Sequence, residues 1–376
     1  MHTTHPCIML GSYIWDSDTL PDDEFDARIA HLRAAMDANG WAAVLIYGDA
    51  REHQALACYT NFIPRMRWAL AMIPAKGEPR ILVSVTARDM PAMKTMTWVK
   101  DVYSGWEWKW FDGFIEKLPP AGVLATMGFE LVTPVLYGQI EASTAGRFTF
   151  ADASAVLSEA RGIHRPRETA LIRTAASIAD AAGDAFLAAW RAGKDVENSA
   201  LAAETSARNR AAQDVRTLVS RDGGRTLEPF RARFDDRPAT LLGYVGVKYQ
   251  GYWAEKFVCA APGSRQVAQR ASAALDAALA NFKIGATADI LHGKAREALG
   301  ALPLHMALSG SLGHRIGLSA NEGHELRPGG GAIAADVAYA LRIGAHDVAE
   351  GGAIASAIVH LHGDGRLEIL TRSHPE

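Results

Sequence analysis

The sequence predicts an α/β domain followed by an α+β domain. Three observations carry this reading. Strand-length apolar runs alternate with short helical patterns over the first ~150 residues. Two long amphipathic patterns, near 166–192 and 266–282, then frame two consecutive strand-like runs. The last quarter reads as glycine-rich strands, with Gly363-Asp364-Gly365 as a hairpin turn. A chain of 376 residues exceeds one ordinary core and suits two domains, placed here at 1–158 and 159–376.

Residues 1–20 show no periodicity. Asp22-Asp23-Glu24 opens a helix, since acidic side chains suit its positive end. Phe25, Ile29, Leu32 and Met36 give that helix one apolar face, and Gly40 stops it. The run 41–47 (WAAVLIY) reads as a strand buried on both faces. A helix over 51–60, strands at 68–74 and 80–85, a helix at 87–95 and a strand at 98–103 follow. A helix at 110–118, a strand at 123–127 and a helix at 134–142 complete the first domain. Its aromatic stretch Trp106, Trp108, Trp110 and Phe111 reads either as an interface or as a wall beside a ligand.

In the second domain Pro166 suits the first turn of a helix that runs to about 192. A helix at 196–211, a strand at 215–220 and strands at 240–247 and 251–261 come next. Helices at 266–282 and 287–299 precede a segment with one histidine framed by glycines, Gly313-His314-Arg315-Ile316-Gly317. Strands at 332–343, 353–361 and 367–370 end the chain.

Composition narrows the function. A formal net charge of −3 gives no electrostatic reason to expect nucleic acid or an anionic membrane as partner. No apolar run reaches membrane-spanning length, and no basic, then apolar leader is visible. The three cysteines, Cys7, Cys58 and Cys259, form no metal spacing and read as reduced thiols in a cytoplasmic setting, with Cys259 a small core residue.

Several motifs, in order, resemble one family. Arg161-Gly162-Ile163-His164-Arg165-Pro166-Arg167-Glu168 is similar to the segment that opens the catalytic domain of the creatinase, prolidase and aminopeptidase P family. Gln250-Gly251-Tyr252-Trp253-Ala254-Glu255 stands where that family has Asp-Gly-Tyr-x-Ser-Asp. Gly313-His314-Arg315-Ile316-Gly317-Leu318 resembles Gly-His-Gly-Ile-Gly-Leu, and Leu326-Arg327-Pro328-Gly329 resembles Leu-x-Pro-Gly. The stretch from Arg28 to Asp49 is similar to the family's N-terminal domain. The resemblance implies a pita-bread fold for the second domain and a homodimer.

It also implies a site. Peptidases of the family hold two divalent metals with two aspartates, a histidine and two glutamates; the carboxylates bridge hard cations that generate hydroxide. Carried over residue by residue, the second aspartate is Glu255 and the histidine His314. The first aspartate becomes Tyr244, whose phenol is a poor ligand because its ordinary pKa is near 10. The first glutamate falls on Ala335 by strict count, or on Asp336 with a one-residue slip, and the second on Ser356. Asn321 takes the place of a further histidine. No cofactor is expected, although Glu255, His314 and Asp336 leave room for one divalent metal.

The expected function is therefore that of a metal-independent hydrolase or lyase of the creatinase-like branch, acting on a C–N bond of a small polar nitrogen metabolite. His314, Glu255 and Asp336 are the expected catalytic residues. Tyr244, Trp253, Asn321, Ser356 and Arg231 are the expected substrate contacts, with Arg231 and Arg233 available to clamp a carboxylate. The segment from Glu228 to Phe234 lacks the histidine that creatinase carries there. Two alternatives stand beside this reading: an Xaa-Pro-type metallopeptidase with a degenerate site, and a non-catalytic protein that binds a peptide or partner.

Overall fold

The computed structural model describes residues 14–64, 66–229, 237–261, 265–373 and 375, and not the side chains of 159–161. Arg231 and Arg233 thus lie outside the described residues, as does Cys7. The chain divides into two compact units, Met1–Ile163 and His164–Glu376.

The first unit runs α1 (Asp22–Asn39), β1 (Trp41–Asp49), α2 (Gln54–Thr60), β2 (Trp68–Pro74), β3 (Arg80–Val83), α3 (Met90–Met93), β4 (Asp101–Ser104), α4 (Lys109–Ile115), β5 (Gly122–Met127), α5 (Pro134–Thr144), β6 (Phe148–Asp152) and α6 (Ser154–Arg161). Its six strands form one mixed sheet in the order β4-β3-β2-β1-β5-β6. The continuous apolar run of β1 places it centrally, between antiparallel β2 and parallel β5. Phe25, Leu32 and Met36 of α1 are fully buried, as their spacing requires.

Two expectations shift here. The strand expected from Trp98 begins only at Asp101, because the Trp98 indole stacks on Phe25 and donates to the Tyr59 carbonyl. The aromatic stretch mostly packs within its own unit. Trp110 stacks on Tyr103, Trp108 stacks on Phe111, and the Trp108 indole donates to Ser143. Only Trp106 of the four is largely exposed, with Arg67 against its ring.

The second unit continues with α7 (Pro166–Arg191), α8 (Val196–Arg208), β7 (Asp214–Val219), β8 (Glu228–Pro229), β9 (Leu241–Tyr249), β10 (Tyr252–Ala260), α9 (Gln266–Ala280), α10 (Ala288–Leu299), β11 (Gly313–Arg315), β12 (Val337–Asp347), β13 (Gly351–Leu361) and β14 (Leu367–Ser373). Two antiparallel four-stranded sheets result, β10-β9-β7-β8 and β11-β12-β13-β14. The first turn of α7 is capped by Glu168, whose carboxylate accepts from the Arg165 N–H. The same carboxylate accepts from the Tyr252 hydroxyl, tying α7 to β10. Helix α9 packs on β12 and β13, burying Leu275, Leu341, Ile343 and Ile354 in one core. Cys259 is buried in that core, as expected. None of the described helices is long and apolar enough to cross a membrane.

Strand β12 begins at Val337, later than the pattern suggested. Asp336 sits in the left-handed region at φ 54°, which interrupts the extended run before it starts.

Candidate functional site

Four side chains from four strands meet in the second unit. Glu255 lies on β10, where every residue is buried, and its carboxylate is almost fully enclosed. Tyr244 reaches it from β9: the phenol donates to Glu255 Oε2 at 3.1 Å. This approach depends on Gly246, where a Cβ would lie 2.8 Å from the Tyr244 hydroxyl. Burial, then the Glu255 charge, pushes the Tyr244 phenol well above its ordinary range, so it stays a donor.

His314 comes from the short strand β11, which pairs with Leu341, Ala340 and Tyr339 of β12. Gly313 makes that pairing possible, because a Cβ there would fall 2.2 Å from the Ala340 carbonyl oxygen. His314 Nδ1 lies 3.2 Å from the Arg315 carbonyl oxygen. A carbonyl only accepts, so Nδ1 carries the proton and Nε2 keeps its lone pair. Nε2 faces Glu255 Oε2 at 4.0 Å. Burial pulls the His314 pKa below its ordinary 6.5, outweighing the Glu255 charge that pulls it up. The site therefore holds a neutral imidazole whose free lone pair faces a carboxylate.

The fourth member was not expected. Arg342, on β12, donates from Nη1 to Glu255 Oε1 at 3.5 Å. Its Nε is buried without a hydrogen-bond partner among the described residues. Arg342 stands directly opposite Ser356 across β12 and β13. The sequence did hold a signal, since Ala340-Leu341-Arg342-Ile343 sets an arginine inside an otherwise buried run.

Arg342 and Tyr244 also line a cavity of about 610 Å³, together with Arg216, Arg225, Phe257 and Met306. Glu255 and His314 are not among its lining residues and meet it through Tyr244 and Arg342. Three guanidinium groups around one opening make it a place for an anion.

The remaining expected residues lie elsewhere. Asp336 does not join the cluster. Its Oδ1 accepts from the Gly363 N–H at 2.8 Å, and its backbone bonds to Leu361 and His164. It precedes Arg342 by six residues of strand, roughly 20 Å at ordinary strand rise. Ser356 is spent on structure: its hydroxyl accepts from the Phe257 N–H and bonds to Ser373. Asn321 is exposed and donates to Glu325 Oε1 at 2.7 Å. Glu325 is the second residue the sequence reading missed, and its charge acts on both His314 and Arg342. Trp253 is buried and does not line the cavity; Arg216 lies over its ring at 4.3 Å and Lys248 at 4.9 Å. It thus supports a cavity arginine from beneath.

Residues 170–354 match the sequence model of Metallopeptidase family M24. No curated protein matches the sequence. Among solved structures, the prolidase from Pyrococcus horikoshii OT3 superposes with a TM-score of 0.76 at 17% identity, covering 93% of this chain and 99% of that one. The X-Pro aminopeptidase from Thermotoga maritima MSB8 gives 0.76 at 20% identity, covering 91% and 97%. The N-terminal domain of the FACT complex subunit SPT16 from Cicer arietinum gives 0.65 at 12% identity, covering 94% and 96%. At these identities the likeness shows the fold: a creatinase/prolidase-type α/β domain followed by a pita-bread domain of the M24 kind.

A metallopeptidase fold implies a divalent metal, and the donor set can be tested against it. Such a cation needs several anionic or lone-pair donors converging on it. Glu255 and His314 qualify. Tyr244 keeps its proton and Ser356 is committed to Phe257 and Ser373, so Glu255 and His314 are the two donors left at the carried-over ligand positions. These residues do not fit a divalent metal.

Proposed function

We propose that the second unit binds a small anionic nitrogen compound and cleaves its C–N bond without a divalent metal, with Arg342 as the built-in cation. The observation that carries this reading is the Arg342 guanidinium on the Glu255 carboxylate, at the place where the fold otherwise calls for metal. The three-arginine cavity supports the sign of the ligand. A substrate carboxylate would draw Arg342 toward the cavity, loosening a contact already long at 3.5 Å and opening the way to His314.

The chemistry then follows from the protonation states. His314 Nε2 takes a proton from water, the hydroxide oxygen bonds to carbon, and the C–N bond breaks. The departing nitrogen collects the proton from the imidazolium. In an elimination the same lone pair takes a C–H proton and the C–N electrons leave with nitrogen. Glu255 stabilises the imidazolium in either case, and Tyr244 and Arg342 donate to developing negative charge. A cytoplasmic homodimer is part of this reading.

A second reading has its own observation. His314 is only 2% exposed, and 4.0 Å from Glu255 is too long for a hydrogen bond. A binding pocket without chemistry would look the same. Thermal-shift screening of metal-stripped protein against small carboxylate-bearing amines and amides, followed by product analysis, separates the two. Turnover lost in His314→Ala supports the enzyme. Stabilisation by a ligand that is returned unchanged supports the binder.

A further inference from the structure

The β13–β14 hairpin carries a second cluster, remote from Glu255. His360 lies near the end of β13 and His362 just past it, with their ring centroids 4.5 Å apart. Glu368 on β14 pairs directly opposite His360. All three offer ligand atoms within 4.8 Å of one another. His360 is buried, its relative exposure being 3%, and His362 is half-buried.

His360 supplies the independent observation. Its Nε2 lies 3.1 Å from Thr169 Oγ1. That hydroxyl donates its own proton to the Arg165 carbonyl, so it accepts from His360. Nε2 therefore carries the imidazole proton and Nδ1 is a bare lone pair. Nδ1 is buried with no hydrogen-bond partner among the described residues. A buried lone pair left unfilled is costly, and a bound ion is one of the few things that explains it.

We propose that His360, His362 and Glu368 form a binding site for one zinc-class divalent cation, distinct from the Glu255–His314 cluster. Two imidazoles and a carboxylate suit a borderline ion such as zinc better than magnesium or calcium. The surroundings hold the ligands in place. Arg173 of α7 grips Glu368 with two contacts of 2.9 and 3.0 Å, and Thr169 of α7 fixes the His360 ring. His362 Nε2 already sits 2.8 Å from Glu368 Oε2. The ion would cross-link the end of β13 to β14, beside α7.

The test uses the full chain with any histidine tag removed, stripped with chelator and titrated with zinc against a competing chromophoric chelator. The expected result is one equivalent bound, with affinity falling at least ten-fold in His362→Gln and in Glu368→Gln and unchanged in Glu255→Gln. Zinc-edge anomalous diffraction from the wild-type protein checks the position without any variant, and a peak beside His360 is expected. No zinc bound, binding untouched by His362→Gln, or an anomalous peak at Glu255 instead would overturn the proposal.

Discussion

Arg342 is the residue on which the site turns. In the proposed reading it supplies the positive charge that a metal would otherwise bring; it contacts Glu255, lines the cavity, and has a buried Nε without a hydrogen-bond partner among the described residues. Replacing it by methionine keeps the volume and removes the charge. Ligand binding should then weaken by roughly ten-fold or more, about 1.4 kcal/mol, read as a lost thermal shift. The same change leaves the Glu255 carboxylate buried without its cation, so the variant should also unfold at lower denaturant. The buried histidines set a pH dependence. Burial holds His314 and His305 below the ordinary 6.5. The unfolded chain then binds more protons than the folded one as pH falls below about 6.5, so stability is full above that value and declines beneath it. Urea midpoints at pH 7.5 and 5.5 should differ in that direction. His305→Gln should narrow the gap, since His305 is satisfied as a neutral ring, accepting from the Ala307 N–H and donating to Gly224. A midpoint that rises on acidification would contradict this.

At the scale of elements, the site depends on how four strands are registered. Gly313 lets β11 lie against β12 and so delivers His314. Gly313→Ala would drive a methyl into the Ala340 carbonyl and should cost about 2 kcal/mol or more, with loss of ligand binding. Ser356 acts similarly between strands. Ser356→Ala would leave the buried Phe257 N–H unpaired, at about 1–3 kcal/mol, while the cavity arginines stay in place. Measured unfolding free energies check both, and Ser356→Ala should keep ligand affinity close to wild type. Element existence was largely legible from the sequence, because long apolar periods such as those of α1, β1 and α7 announce themselves. Register was not. Counting from the Pro-Gly turn put residue 335 or 336 in the cleft, but the left-handed backbone of Asp336 delays the strand, and the cluster receives Arg342 instead. Nothing local to Asp336 in the sequence reveals that φ value. Asp336 nevertheless has a task, closing the turn at Gly363.

For the whole molecule, two units account for the chain, and the second carries both the arginine-bearing site and the proposed zinc site. The M24 fold was legible because its motifs recur in order along the sequence: the α7 opening, the β9–β10 hairpin and the Gly-His turn. The candidate site was only partly legible. Glu255, His314 and Tyr244 could be named from position, since each sits within a motif. Arg342 and Glu325 could not, because their roles arise from strands and loops brought together across the fold. The central claim is that a guanidinium fills the place of a divalent metal. Calorimetric titration of manganese into the chelator-stripped chain tests it most directly, with wild type and Glu255→Gln measured side by side. The account predicts no Glu255-dependent binding, so the two proteins should give the same trace. Stoichiometric manganese binding by the wild type that Glu255→Gln abolishes would contradict it.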